Sequence, residues 1–155
     1  KTGLLCFSAN WTNPVLWSHY GAKHRGICLG FNVRSTLLEK VKYEQKRISI
    51  GKCSLPSLDD AVKKQLLCTK FNHWEYESEY RAFIPLAKAI KEAGLYFWRF
   101  NADFALAEVI LGPLCSLPLD AMRHLTNSCH RGVVTFKSRL AVKSFGVVPS
   151  EPSVP

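Results

Sequence analysis

NPVLWSHYGAKHRGICLGF, residues 13–31, changes its structural period halfway along. Asn13 is a good N-cap and Pro14 suits the first helical position, so the stretch predicts a short helix over 14–20 that Gly21 can end. GICLGF, residues 26–31, is apolar at successive positions, the pattern of a strand covered on both faces. It is expected as the central strand of the sheet. A helix therefore runs straight into a strand, and the organisation of the chain depends on how its other elements alternate around this pair.

Working outward, 4–8 reads as a short strand. Residues 33–41 carry Leu37, Leu38 and Val41 at helical spacing, and 47–50 alternate as a strand. Ser57-Leu58-Asp59-Asp60 resembles a capping box with Asp in place of Glu, leading into a helix with a stripe of Ala61, Val62, Leu66 and Leu67. Residues 80–86 and 95–100 are aromatic-rich strand candidates, separated by a short Ala/Lys/Glu helix that Gly94 closes. Residues 106–111 form an apolar strand stopped by Gly112-Pro113. A helix over 119–129 and strands at 133–137 and 141–145 complete the pattern.

Strands and helices mix without a steady β-α-β alternation. The expectation is an α+β fold, a single domain over residues 1–146 with a mixed, mostly antiparallel sheet and short flanking helices. The tail VVPSEPSVP, residues 147–155, is rich in Pro and Ser and is expected to be loose. A chain of 155 residues, 47% hydrophobic and 21% charged, has the composition of a folded globular protein. No apolar stretch approaches the length of a membrane span and no signal-peptide layout opens the chain, so a cytoplasmic setting is expected. The six cysteines lie far apart with no C-x-x-C pair, which favours reduced thiols over a disulfide framework or a zinc motif.

The net charge of +9 is uneven, about +7 over residues 1–58, −1 over 59–112 and +3 over 113–155. A basic N-terminal half suits nucleic acid or a phosphorylated ligand, although scattered lysines more often form a solvated face. In WSHYGAKHRG, Trp17 or Tyr20 could stack on a flat ring, His19 or His24 could bond a sugar or base, and Arg25 could pair with phosphate. The competing reading makes Trp17 and Tyr20 core anchors and His24 a cap. The two histidines are five apart, which suits no metal pairing on a helix or strand, and no metal is expected.

In WEYESEYR, residues 74–81, strand spacing would project Glu75, Glu77 and Glu79 from one face, where mutual repulsion raises at least one pKa. The alternative is a solvent-facing acidic edge with Trp74, Tyr76 and Tyr80 packed inward. Ser8 lies at a strand end with no G-x-S-x-G elbow around it. No Walker A, G-x-G-x-x-G or H-E-x-x-H sequence occurs.

Taken together, CFSANWTNPVLWSHYGAKHRGICLGF, TKFNHWEYESEYR and LAEVILGPLC resemble a widespread bacterial domain-of-unknown-function family, over about residues 5–115. That family carries a "CFS…W.NP.MWSHYA..H.G.C.GF" stretch, a later "K…W.YE.EWR" and an "I.EVILG" strand. Its members usually have a further N-terminal segment that is not visible here, and an expected basic anchor goes with it. Some relatives look like components of phage-defence or toxin–antitoxin loci, and the motif order is similar to that of ADP-ribosyltransferase folds.

The resemblance implies an NAD-handling domain with NAD as substrate. Glu79 or Glu77 would be the catalytic carboxylate facing an oxocarbenium-like ribose, with Ser8 in the middle position of an Arg-Ser-Glu plan. Trp17 or Tyr20 would stack on nicotinamide, and Arg25 or Arg81 would hold phosphate. WSHYGAKHRG is then expected to face WEYESEYR across the sheet. Two other classes compete: a non-catalytic nucleotide- or nucleic-acid-binding module, and an antitoxin-like partner of another protein.

Overall fold

The computed structural model describes residues 1–51 and 57–150. Its strands and helices run β1 (Thr2–Ser8), α1 (Pro14–His19), β2 (Ile27–Val33), β3 (Glu39–Lys40) and β4 (Lys42–Glu44). Next come α2 (Asp60–Leu67), β5 (Thr69–Phe71), β6 (Glu79–Pro85), β7 (Ile90–Glu92) and β8 (Leu95–Phe97). The chain closes with β9 (Phe104–Leu111), α3 (Leu119–Cys129), β10 (Val134–Leu140) and β11 (Val147–Pro149). The fold is α+β with mostly antiparallel pairing, as expected. Its contacts divide the chain into two compact units, one of residues 1–9 and 35–97, the other of 10–34 and 98–155.

The first unit holds a three-stranded antiparallel sheet in the order β1-β6-β3. Its register sets Ser8 against Glu79 and Cys6 against Arg81, with Glu39 opposite Arg81 on the other side. Val41, Ala82 and Ile84 are buried in this unit. β4 and β5 form a separate parallel pair, and β7 and β8 a hairpin. α2 starts two residues later than the capping-box reading implies, because Asp59 and not Ser57 is the N-cap, and its carboxylate accepts from Val62 N at 2.7 Å.

Three expectations in this unit give way. The helix over 33–41 is replaced by a short 3-10 turn, Ser35–Leu37, and strand β3. Val41 N donates to the Glu79 carbonyl at 2.9 Å, so pairing beside β6 overrides the helical spacing of three apolar side chains. Residues 47–50 hold no strand; the strand lies just before them, as β4. The helix before Gly94 is a 3-10 turn, Leu86–Lys88, followed by the β7–β8 hairpin. Ala93 and Gly94 both have positive φ, 48° and 81°, which a two-residue turn of primed type requires.

The second unit holds a four-stranded sheet in the order β11-β10-β9-β2, with β9 parallel to β10 and the other pairs antiparallel. Ile110, Val147 and Trp17 form its core, joined by Trp11, Cys28 and Phe136. The Trp17 indole N–H donates to the Trp11 carbonyl at 2.6 Å, so its one polar atom is satisfied while the ring is buried. Burying a ring of that size stabilises by roughly 2–3 kcal/mol.

β2 is an edge strand here, and β9 takes the central place expected for GICLGF. Ile27 and Leu29 are each 41% exposed, both on one side of the period-2 alternation. An apolar run announces that a strand borders a core, not how many strands flank it. At the other end, residues 141–145 are irregular, and β11 begins inside the segment read as a loose tail. Val147 is fully buried and donates to the Thr12 carbonyl at 2.8 Å. Cys53 and the last five residues of the tail lie outside the described residues.

Candidate functional site

The E-x-E segment does not form the strand that alternation suggests. Asn72–Glu77 is a 3-10 helix, and Ser78 sits in the left-handed region at φ 46° before β6 begins at Glu79. That corner turns Glu75 out to solvent and leaves Glu77 and Glu79 only 4% and 6% exposed. Ser8 and Ala9 hold it in place: the Ser8 hydroxyl donates to the Glu77 carbonyl at 2.7 Å, and Ala9 N donates to the Ser78 carbonyl at 3.1 Å.

Two buried carboxylates require cations, and β5 and β6 supply them. The Lys70 ammonium bonds Glu77, reaches Glu79 at 3.2 Å and lies 5.0 Å from the centre of the Trp74 ring. Arg81, two residues along β6 and on the same face as Glu79, grips both of its oxygens, at 2.8 Å through Nε and 3.0 Å through a terminal nitrogen. Its other terminal nitrogen bonds the Leu67 carbonyl at the end of α2. The Tyr43 hydroxyl accepts from Glu79 N at 2.8 Å. Two cations and two carboxylates leave the cluster neutral.

The expectation that crowding raises a carboxylate pKa fails at Glu79. Burial pushes it up, but hydrogen bonds from Arg81, Cys6 and Lys70 outweigh burial and hold it at about 2. The same pairing pushes the Cys6 thiol to about 11, through burial first and then through its hydrogen bond to Glu79. Glu79 is thus an ionised, fully partnered anion, suited to electrostatic work and unsuited to proton transfer near neutral pH.

Beside this cluster lies a cleft of about 630 Å³, walled by β4 and β5, the segment 45–48 after β4, and Leu66 of α2. Lys46, Arg47 and Gln45 line it together with Glu44, Thr69, Lys70 and Phe71. Lys70 is committed to Glu77 and Glu79. Lys46 and Arg47 are exposed, and no ion pair involves either among the described residues. The volume is that of an ordinary small-molecule site.

Of the residues singled out from the sequence, Ser8, Glu77, Glu79 and Arg81 are assembled within the first unit. Trp17, His19, Tyr20, His24 and Arg25 belong to the second. Nor do the two segments share a sheet: β2, which follows WSHYGAKHRG, pairs with β9, whereas Glu79 and Arg81 lie on β6 beside β1 and β3. Trp17 is a core anchor, whereas Tyr20 is an exposed ring beside His19.

His24 closes a left-handed turn in which Ala22, Lys23 and His24 all have positive φ, and its Nε2 lies 3.0 Å from the Ser18 hydroxyl. Gly112 makes that turn possible, because a Cβ there would stand 2.4 Å from the His24 carbonyl oxygen. Tyr43, Lys46 and Arg47 were not singled out from the sequence, and Lys70 entered only as the lysine of the "K…W.YE.EWR" stretch, with no role attached. Besides that motif, the local signal for Lys70 was TKF, a lysine set inside a short strand.

Among the described residues no group of three or more His, Cys, Asp and Glu comes together to hold a metal ion, and no helix is long and apolar enough to cross a membrane. No protein-family profile, curated protein or solved structure matches the chain.

Proposed function

We propose that the first unit is a non-catalytic nucleotide-binding module that takes a phosphorylated ligand in the cleft beside β4 and β5. One observation carries this reading: Lys46 and Arg47, neither in an ion pair among the described residues, outnumber the single lining carboxylate, Glu44, in a cavity of nucleotide size next to a half-exposed aromatic ring, Phe71. Guanidinium and ammonium groups bind phosphate oxygens, and a phenyl ring offers a stacking face to a base. Lys70 and Arg81 fall to a bracing role, since both are spent on Glu77 and Glu79. A cytoplasmic setting belongs to the same reading and is supported by the five described cysteines, all free thiols.

Titration calorimetry with ADP and with NAD+ tests it. The double variant Lys46→Gln/Arg47→Gln should weaken binding about tenfold or more, as loss of charge-assisted bonds requires. Absence of heat with either nucleotide would sink the reading.

A second reading, an ADP-ribosyltransferase-like activity on NAD, is favoured by the convergence of Ser8 with Glu77 and Glu79. An ionised Glu79 suits stabilisation of an oxocarbenium-like ribose, provided a ribose hydroxyl displaces Lys70 or Arg81 from it. Nicotinamide release that disappears in Glu79→Gln would establish it; release at the same rate in that variant would dismiss it.

A further inference from the structure

We infer that the second unit carries a separate surface for single-stranded nucleic acid, built on the ring of Phe100. Three segments meet there. Phe31, on β2, packs edge-on against Phe100 with ring centroids 5.0 Å apart, and His130, at the C-terminal end of α3, lies 5.5 Å from Phe100 on a tilted plane. Phe100 remains 44% exposed despite these neighbours, and His130 is exposed. The result is a short aromatic row with open ring faces.

The row stands on a rigid mount. Asn101 begins a tight turn directly after Phe100, with its side-chain oxygen accepting from Asp103 N at 2.9 Å and Phe104 N at 3.1 Å. Asn101 and Phe104 also exchange backbone hydrogen bonds at 3.2 and 3.1 Å. Arg34 closes the turn from β2, pairing with Asp103 at 2.8 Å while its own N–H donates to the Asp103 carbonyl. A ring held in this way loses little freedom when a base stacks on it.

Charge selects the partner. Arg99 and Arg131 directly adjoin Phe100 and His130 in sequence, both are exposed, and neither has an ion pair among the described residues. Segments 97–102 and 127–134 contain no Asp or Glu, and the next carboxylate along the chain from Phe100, Asp103, is already paired with Arg34. Exposed rings interleaved with unpaired arginines match a strand whose bases are free to stack and whose phosphates need counter-charge. A duplex hides its base faces, and an acidic peptide would leave the rings unused.

Fluorescence anisotropy of labelled oligo(dT) and oligo(U), each about ten nucleotides long, against the full chain tests this inference. Binding is expected with at least one of them, and the pair separates DNA from RNA as the source. Phe100→Leu, which keeps the apolar volume but removes the stacking face, should weaken binding about tenfold, within the range for loss of one base stack. Arg99→Gln/Arg131→Gln should lower the slope of log affinity against log salt by about 1.4, two single-strand phosphate contacts. Both replacements lie at exposed positions, so unchanged melting would show that the fold persists.

The surface is overturned by no binding of either oligonucleotide at about 100 µM protein and low salt, the weak end of non-specific association. It is also overturned by binding that survives Phe100→Leu but falls with Lys46→Gln/Arg47→Gln. That second result would place the strand in the cleft of the first unit.

Discussion

Replacing Glu79 with Gln would leave the Arg81 guanidinium and the Lys70 ammonium close together, with only the Glu77 carboxylate to offset them. Breaking a buried pair from one side costs about 3–5 kcal/mol. Lys70 keeps Glu77 and Arg81 keeps the Leu67 carbonyl, so a loss of about 2–3 kcal/mol is expected in urea unfolding near neutral pH. Acid adds a second readout. Glu79 is held at about 2 against an ordinary 4.5, so the unfolded chain takes up its proton first. The stabilisation is therefore whole above pH 4.5 and is lost as the pH falls from 4.5 toward 2. Glu79→Gln should flatten the decline in that window; parallel declines in both proteins would assign the titration to another group.

The same substitution should wake the Cys6 thiol. Partial burial of the sulfur and the Glu79 carboxylate hold it at about 11 against an ordinary 9.0, which makes it a slow nucleophile although the residue as a whole is exposed. Alkylation at about pH 8, followed at the Cys6 peptide by mass spectrometry, should run severalfold faster in Glu79→Gln. An unchanged rate would mean that burial alone sets the thiol. At this scale the sequence was partly legible. E-x-E spacing drew attention to Glu77 and Glu79, yet they meet through a 3-10 turn and a left-handed Ser78, not through strand alternation. Lys70 stood in the quoted motif, but its role was not legible because nothing in a lone strand lysine says which carboxylates it will reach.

Among the elements, the best-read ones carry their own punctuation. α1 starts on Asn13-Pro14 and α3 directly after Pro118, and residues 119–129 are helical as the pattern implies. Elements defined by partners were misread. Residues 33–41 show helical spacing but end in strand pairing of Glu39 and Lys40 beside β6, and VVPSEPSVP, expected to be loose from its Pro and Ser, opens on strand β11. β11 is a sharp test of that expectation. Val147 N reaches Thr12, its side chain packs with Trp17 and Ile110, and Ser150 N reaches the Lys137 carbonyl at 2.8 Å. Val147→Ala should cost about 2 kcal/mol through the cavity it leaves. A chain ending at Gly146 should lose more and expose β10 amides to hydrogen exchange. Melting within about 2 °C of the full chain would mean that the tail is dispensable after all.

For the whole molecule, α+β could be read from the mixture of periods, because each period depends on a few neighbouring side chains. The division into units could not, since both are discontinuous: residues 10–34 leave the first unit between β1 and β3 and join residues 98–155. Ser8 and Trp17, close in sequence, consequently belong to different units. Charge is the property that both share. The first unit has twelve Lys and Arg against eight Asp and Glu, and the second nine against four.

Like charge opposes the compact state, so raising sodium chloride from about 10 to about 150 mM, which shortens the screening length from about 30 to about 8 Å, should raise the melting temperature by a few degrees. Pyrophosphate at matched ionic strength screens no better than chloride and adds stability only where cations bind it, by RT ln(1 + [L]/Kd). A further rise is expected in the wild type and its loss in Lys46→Gln/Arg47→Gln, with the chloride response kept in both. Equal responses to chloride and pyrophosphate in the wild type would make the charge a diffuse property of the surface and remove the cleft as an anion site.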